Sequence, residues 1–133
     1  MNGWKVGVDG CKSGWFYLAS NGSETKFGIV GKIEDLFNTL DQVTDVFIDI
    51  PIGLTDSGDE GRECDKLARK MLKPRGSTVF PAPVRPCLNA ETYAEACRIS
   101  ESLTGKKVSQ QAFHIFRKVR EVDELLQEAL CVG

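Results

Sequence analysis

Apolar residues alternate with polar or small ones at the start of the chain: Trp4, Val6 and Val8 fall on one side, Lys5, Gly7 and Asp9 on the other. The alternation predicts a half-buried β-strand that closes on a carboxylate. After a break at Gly10-Cys11-Lys12-Ser13-Gly14, the run Trp15 to Ala19 predicts a second strand. Asn21-Gly22 predicts a hairpin turn, because both residue types tolerate positive φ, and Lys26 to Val30 returns as a third strand. The three strands read as an antiparallel meander. Ile33, Leu36, Phe37 and Leu40 recur at i, i+3, i+4 and i+7, one face of a short amphipathic helix. The chain then enters Val46-Phe47-Ile48-Asp49-Ile50, a strand ended by Pro51 and Gly53. Passage from strand to helix to strand predicts that this last strand joins the sheet parallel to an earlier one, by a right-handed connection.

Helical patterns dominate the remainder. A charged helix is predicted from Asp59 to Leu72, stopped by Pro74 and Gly76. Residues 76–89, with Pro81, Pro83 and Pro86, are expected to be an extended loop barred from helix. A helix over Glu91 to Leu103 finds a C-cap in Gly105. The longest element is predicted from Ser109 to Leu130, with an apolar stripe through Val108, Ala112, Ile115, Phe116, Val119, Val122, Leu126 and Ala129. The fold class is therefore α/β: a three-stranded antiparallel meander plus at least one parallel crossover strand, flanked by helices. So small a sheet leaves an unpaired edge. That edge and the long striped helix point to a homo-oligomer, with a dimer favoured.

Composition narrows this picture without redirecting it. A length of 133 residues fits one domain with a sizeable core. With 41% hydrophobic and 27% charged residues, the chain has the balance of a folded soluble protein and not of a disordered one. The net charge of −2 supplies no global basic field, so a nucleic-acid ligand would need a local basic patch. No apolar run reaches the ~18 residues of a membrane span, and no secretory signal pattern precedes the first strand. Five cysteines without C-x-x-C spacing, beside a single histidine, argue against zinc and against a closed disulfide framework. A reducing, cytoplasmic compartment is expected.

Candidate chemistry begins with Asp9 and Asp49. Each ends an apolar strand whose packing does not require it. On neighbouring parallel strands, about 4.8 Å apart, the two carboxylates would form a negative notch for a divalent cation. The bland alternative is that each caps its own following turn. Gly10 to Gly14, containing Lys12 and Ser13, could wrap a phosphate with backbone N–H groups and one cation, although a tight strand connection explains the glycines equally well. Arg62, Asp65 and Arg69 lie on one helix face and could hold an anionic substrate or orient a metal ligand. Solvent-exposed ion pairs give the same pattern and are commoner. Asp123 falls beside the apolar stripe of the last helix and could point inward as a further carboxylate. His114 and Glu121 fall off that stripe and read as surface. Cys11 and Cys64 read as small structural thiols, and Phe80 to Pro83 as a wedge over the helices or the wall of a cleft.

Several of these segments, in order, resemble a known family. Val6-Gly7-Val8-Asp9-Gly10-Cys11-Lys12-Ser13-Gly14-Trp15 and Ile48-Asp49-Ile50-Pro51-Ile52-Gly53-Leu54 are similar to the first two motifs of a family of predicted RNase H-like nucleases, catalogued as domain of unknown function 429. Arg62-Glu63-Cys64-Asp65 with Ala68-Arg69, Thr78 to Pro83, and Lys118 to Asp123 resemble its later motifs. The resemblance implies an RNase H-like fold over residues 1–133, with the strand of Asp49 beside that of Asp9. It implies Mg2+ or Mn2+ held by Asp9 and Asp49, with Asp65 or Asp123 as a further ligand or water-orienting base. Lys12, Ser13, Arg62 and Arg69 would bind substrate, and the reaction would be hydrolysis of a phosphodiester in nucleic acid. The same superfamily contains actin-like ATPases, so a nucleotide ligand at Gly10 to Gly14 is an alternative, as is a non-catalytic assembly module. Family members continue into a further strand with a His-Pro-Glu type motif. This chain ends at Gly133 without it, which implies either completion by a partner chain or a decayed site.

Overall fold

The computed structural model describes residues 3–57, 62–76 and 81–132. Four strands, β1 (Trp4–Cys11), β2 (Gly14–Ser20), β3 (Thr25–Val30) and β4 (Val43–Ile48), form one sheet in the order β3-β2-β1-β4. β1 is antiparallel to β2 and parallel to β4, and β2 is antiparallel to β3. The meander and the parallel crossover thus stand as the hydrophobic pattern predicts. Tertiary contacts group the chain into two compact units, residues 1–50 with 124–133, and residues 51–123.

In the first unit the alternation of β1 sorts its side chains as expected. Trp4, Val6 and Val8 are buried with Trp15, Tyr17 and Ala19 of β2, while Lys5, Gly7 and Asp9 are exposed. The opposite face carries a transverse row in register, Phe27–Leu18–Gly7–Phe47. Its large side chains are open to solvent: Phe27 is 72% exposed, Leu18 52% and Phe47 66%. Next to it runs Ile29–Phe16–Asp9.

Two turns show different uses of glycine. Gly14 has φ +138, and a Cβ there would collide with the carbonyl oxygen of Val30, so the β1–β2 connection needs glycine for close approach. In the β2–β3 turn only Gly22 takes positive φ. Asn21 contributes its side chain instead, Oδ1 accepting from the N–H groups of Ser23 (3.0 Å) and Glu24 (2.7 Å).

The segment after β3 is a 3-10 turn, Ile33–Asp35, running into α1 (Leu36–Thr39), and not one regular helix. Three residues per turn bring i and i+3 onto one line, so Ile33, Leu36 and Leu40 are buried while Phe37 stays 47% exposed.

The second unit contains α2 (Glu63–Met71), a 3-10 helix Arg85–Asn89, α3 (Tyr93–Thr104), α4 (Gln110–His114) and the first part of α5 (Phe116–Val132). Glu63 and Asp65 in the first turn of α2, and Arg69 and Lys70 in its last, complement the helix dipole. The predicted start of that helix near Asp59 lies outside the described residues, as does Phe80 of the expected wedge. Residues 85–89 are helical despite Pro86, because a proline in the first turn has no N–H that the helix would use. Gly105 closes α3 at φ 77 as expected, and Thr92 caps its other end, Oγ1 accepting from Glu95 N–H (3.1 Å). The long last helix is interrupted once. Ile115 N–H donates to Ala112 O (3.1 Å), an i−3 bond that tightens the turn between α4 and α5. The break coincides with edge-on packing of Phe113 against Tyr93 and Phe116, at centroid distances of 5.8 and 5.6 Å.

Candidate functional site

The β1–β4 ladder ends at the pair Val8–Ile48; Asp9 is the next residue of β1, and Asp49 is the first residue after β4. Parallel neighbours keep equal faces together, so Asp9 and Asp49 follow side by side, with strands about 4.8 Å apart. Both are exposed, and both line one open depression with Gly7, Phe16, Leu18 and Phe47. Among the described residues neither carboxylate has a hydrogen-bond or ion-pair partner, so neither is consumed as a turn cap. Two anionic groups converging on an open apolar floor make a hard-oxygen donor pair of the type that divalent cations take. Among the described residues no third histidine, cysteine or acid joins them. Lys12 and Ser13 occupy the β1–β2 turn, between the paired Cys11 and Gly14, and are exposed.

The other predicted acids belong to the second unit, and each is held by an arginine. Asp65 is buried and accepts from Arg62 through both oxygens, Nε to Oδ2 at 2.9 Å and Nη2 to Oδ1 at 2.7 Å. Arg62 Nη1 also donates to Ile52 O (2.5 Å). The pairing with Asp65 raises the Arg62 pKa above its ordinary value, against desolvation that lowers it. The predicted row on α2 is therefore a partly buried bidentate pair, unlike the solvent-exposed pairs that give the same sequence pattern. Arg69, on the same helix, lines a cavity together with Arg62 and Asp65.

Asp123 points inward, as its position beside the apolar stripe allowed. Its oxygens accept from Arg85 Nε (2.9 Å) and Nη2 (3.2 Å), and Arg85 Nη1 donates to Asp56 (3.0 Å). These contacts, Asp123 first, raise the Arg85 pKa. Sequence reasoning did not single out Arg85. Its only signal is a cation inside a proline-rich segment, 38 residues from its partner. His114 is exposed, as expected, and Cys64 is an exposed free thiol.

The architecture is a mixed α/β sheet protein with a paired-carboxylate notch at one strand end. The family model described as "Protein of unknown function (DUF429)" matches residues 7–130, and the chain belongs to that family. No curated protein and no solved structure shows a match to the chain. Among the described residues no helix is long and apolar enough to cross a membrane.

Proposed function

We propose that the Asp9–Asp49 notch binds a divalent cation, Mg2+ or Mn2+, and that the protein is a metal-dependent phosphodiester hydrolase built on an RNase H-like fold. One observation carries the reading: β1 and β4 are adjacent and parallel, and the residues that follow their last pair are two acids with no partner among the described residues. The order β3-β2-β1-β4, with β4 parallel to β1, supports the RNase H-like reading in part.

The donor set fits the ion. Carboxylate oxygens are hard ligands, and Mg2+ characteristically keeps several waters beside one or two of them. When bound, such an ion polarises a phosphoryl oxygen and lowers the pKa of coordinated water. Asp9 and Asp49 fix the charge at the strand end, Gly7 leaves the floor beside them free of side chain, and Lys12 in the adjacent turn supplies a cation for a phosphate. Asp65 and Asp123 are not needed for this reading. Each would first have to leave an arginine fork.

Titration calorimetry with Mn2+ and Mg2+ tests the ion, and cleavage assays on single-stranded, double-stranded and hybrid substrates test the reaction. Saturable metal binding that disappears in Asp9→Asn and in Asp49→Asn, with cleavage lost in parallel, is the expected result. Stoichiometric binding that survives both substitutions would falsify the site. Absence of cleavage with either ion on every substrate would remove the nuclease activity.

A further inference from the structure

The second unit carries a partly open cavity of about 170 Å3 whose wall is strongly cationic. Arg62, Arg69, Lys106 and Lys107 line it, against Asp65 as the acid. Arg62 is already committed, with both carboxylate oxygens of Asp65 on its fork and Ile52 O on its remaining nitrogen. Asp65, so occupied, leaves Arg69 uncompensated although it sits one helical turn away on α2. The side chains of Arg69, Lys106 and Lys107 have no hydrogen-bond or ion-pair partner among the described residues. Arg69 is partly buried, where an unmatched guanidinium is costly unless an anion comes to it.

The neutral part of the wall is suited to the same ligand. Ser109 Oγ accepts from Ala112 N–H (3.0 Å), which leaves its hydroxyl proton free to donate. Ser100 and Thr104 place their hydroxyls on main-chain oxygens, Ser100 Oγ donating to Lys106 O (2.7 Å) and Thr104 Oγ1 to Ser100 O (2.8 Å). Those bonds tie the Lys106 backbone to α3 and fix the segment that carries both lysines. The cavity is thus a built pocket, with its cations on two restrained elements.

We infer that this cavity is a binding site for a small dianionic oxyanion of the phosphate-monoester class. Three uncompensated positive charges match a dianion better than a single carboxylate. The planar guanidinium of Arg69 offers paired N–H donors to two oxygens of one phosphate. The lysines act as point charges on the remaining oxygens. The site stands on the second unit alone and does not depend on the metal reading of Asp9 and Asp49.

The test is titration of the full chain with inorganic phosphate, followed by thermal unfolding and calorimetry. The buffer is passed over a chelating resin and held at constant ionic strength with chloride, so that no divalent ion takes part. A saturable rise in melting temperature is expected, as for any ligand that binds the folded state alone. Arg69→Gln should weaken binding roughly tenfold, the scale of one lost charge-assisted contact. A double replacement of the exposed lysines, Lys106→Gln with Lys107→Gln, should weaken it at least as much, and serves if the Arg69 variant fails to fold. Lys70→Gln, which removes a cation of α2 outside the cavity, should leave the affinity unchanged. No saturable effect of phosphate, or an equal loss in Lys70→Gln, overturns the site. Tighter binding of succinate than of phosphate overturns the phosphate-monoester assignment.

Discussion

Arg85 grips both carboxylate oxygens of Asp123, at 2.9 and 3.2 Å, across 38 residues of sequence. The Asp123 side chain is only 9% exposed, so removing Arg85 leaves a carboxylate with little water to replace the fork, whereas Arg85 without Asp123 is 29% exposed and keeps Asp56. Arg85→Ala is expected to lower unfolding free energy by about 3 kcal/mol, the scale for leaving one member of a largely buried pair without its partner. Asp56, 78% exposed, makes the third contact, and Asp56→Ala should cost less than about 1 kcal/mol. Urea denaturation of the two variants separates a buried pairing from a surface one. Equal losses would show that Asp123 is no better shielded than Asp56.

Stability should fall at alkaline pH for a reason visible at Cys87. Burial pushes this thiol above its ordinary value of 9.0, with smaller opposing hydrogen bonds. In the unfolded chain it ionises first, so the folded state holds the proton longer. The contribution is fully present below about pH 9 and is lost as pH rises through the folded pKa. Tyr93 shifts the same way, mainly through its hydrogen bond with Cys97, and adds to the decline higher up. Melting temperature measured from pH 7 to 11 should drop beyond pH 9, and Cys87→Ala should flatten the early part of that drop at the cost of a lower baseline.

Without metal, Asp9 and Asp49 are like charges on adjacent strands. Pairs of this kind are destabilising by about 0.2–1 kcal/mol. Asp9→Asn should therefore stabilise the metal-free protein slightly while abolishing the gain from added Mn2+. Thermal unfolding with and without the ion reads both effects from one variant. A metal-free melting temperature that falls in Asp9→Asn would mean that the carboxylate holds the strand end together.

Gly14→Ala addresses the β1–β2 connection. At φ +138, with the Val30 carbonyl in the way, the added methyl forces the turn apart. A loss of at least about 2 kcal/mol is expected, as for other substitutions at strained backbone positions. Gly105→Ala is the control: it shares positive φ but meets nothing within 4 Å, and should cost less.

How far the chain could be read in advance depended on the range of the interaction. Val6, Val8, Trp15 and Tyr17 declare the sheet through alternation, and the crossover through α1 fixes the direction of β4. Those local facts leave β1 and β3 both open as the parallel neighbour of β4, and it is the family resemblance that sets the strand of Asp49 beside that of Asp9. A regular 3.6-residue period places Phe37 on the buried face, and the 3-10 turn at Ile33 shifts that period. The break at Ile115 lay hidden for a related reason, since the apolar stripe runs through it. Arg85 was illegible because nothing near it in sequence carries the opposite charge. The cavity cations were half legible: Arg62 and Arg69 share a helix, but Lys106 and Lys107 reach the same wall only through the fold.

Gly7 has no atom within 4 Å of where a Cβ would stand, on a strand whose backbone would accept one. A β-branched replacement such as Gly7→Thr should stiffen β1 and raise stability by about 0.5–1 kcal/mol. It would also raise a step in the floor between Leu18 and Phe47, beside the two acids. A sturdier protein with weakened Mn2+ affinity would tie the open position at Gly7 to the metal site proposed for Asp9 and Asp49.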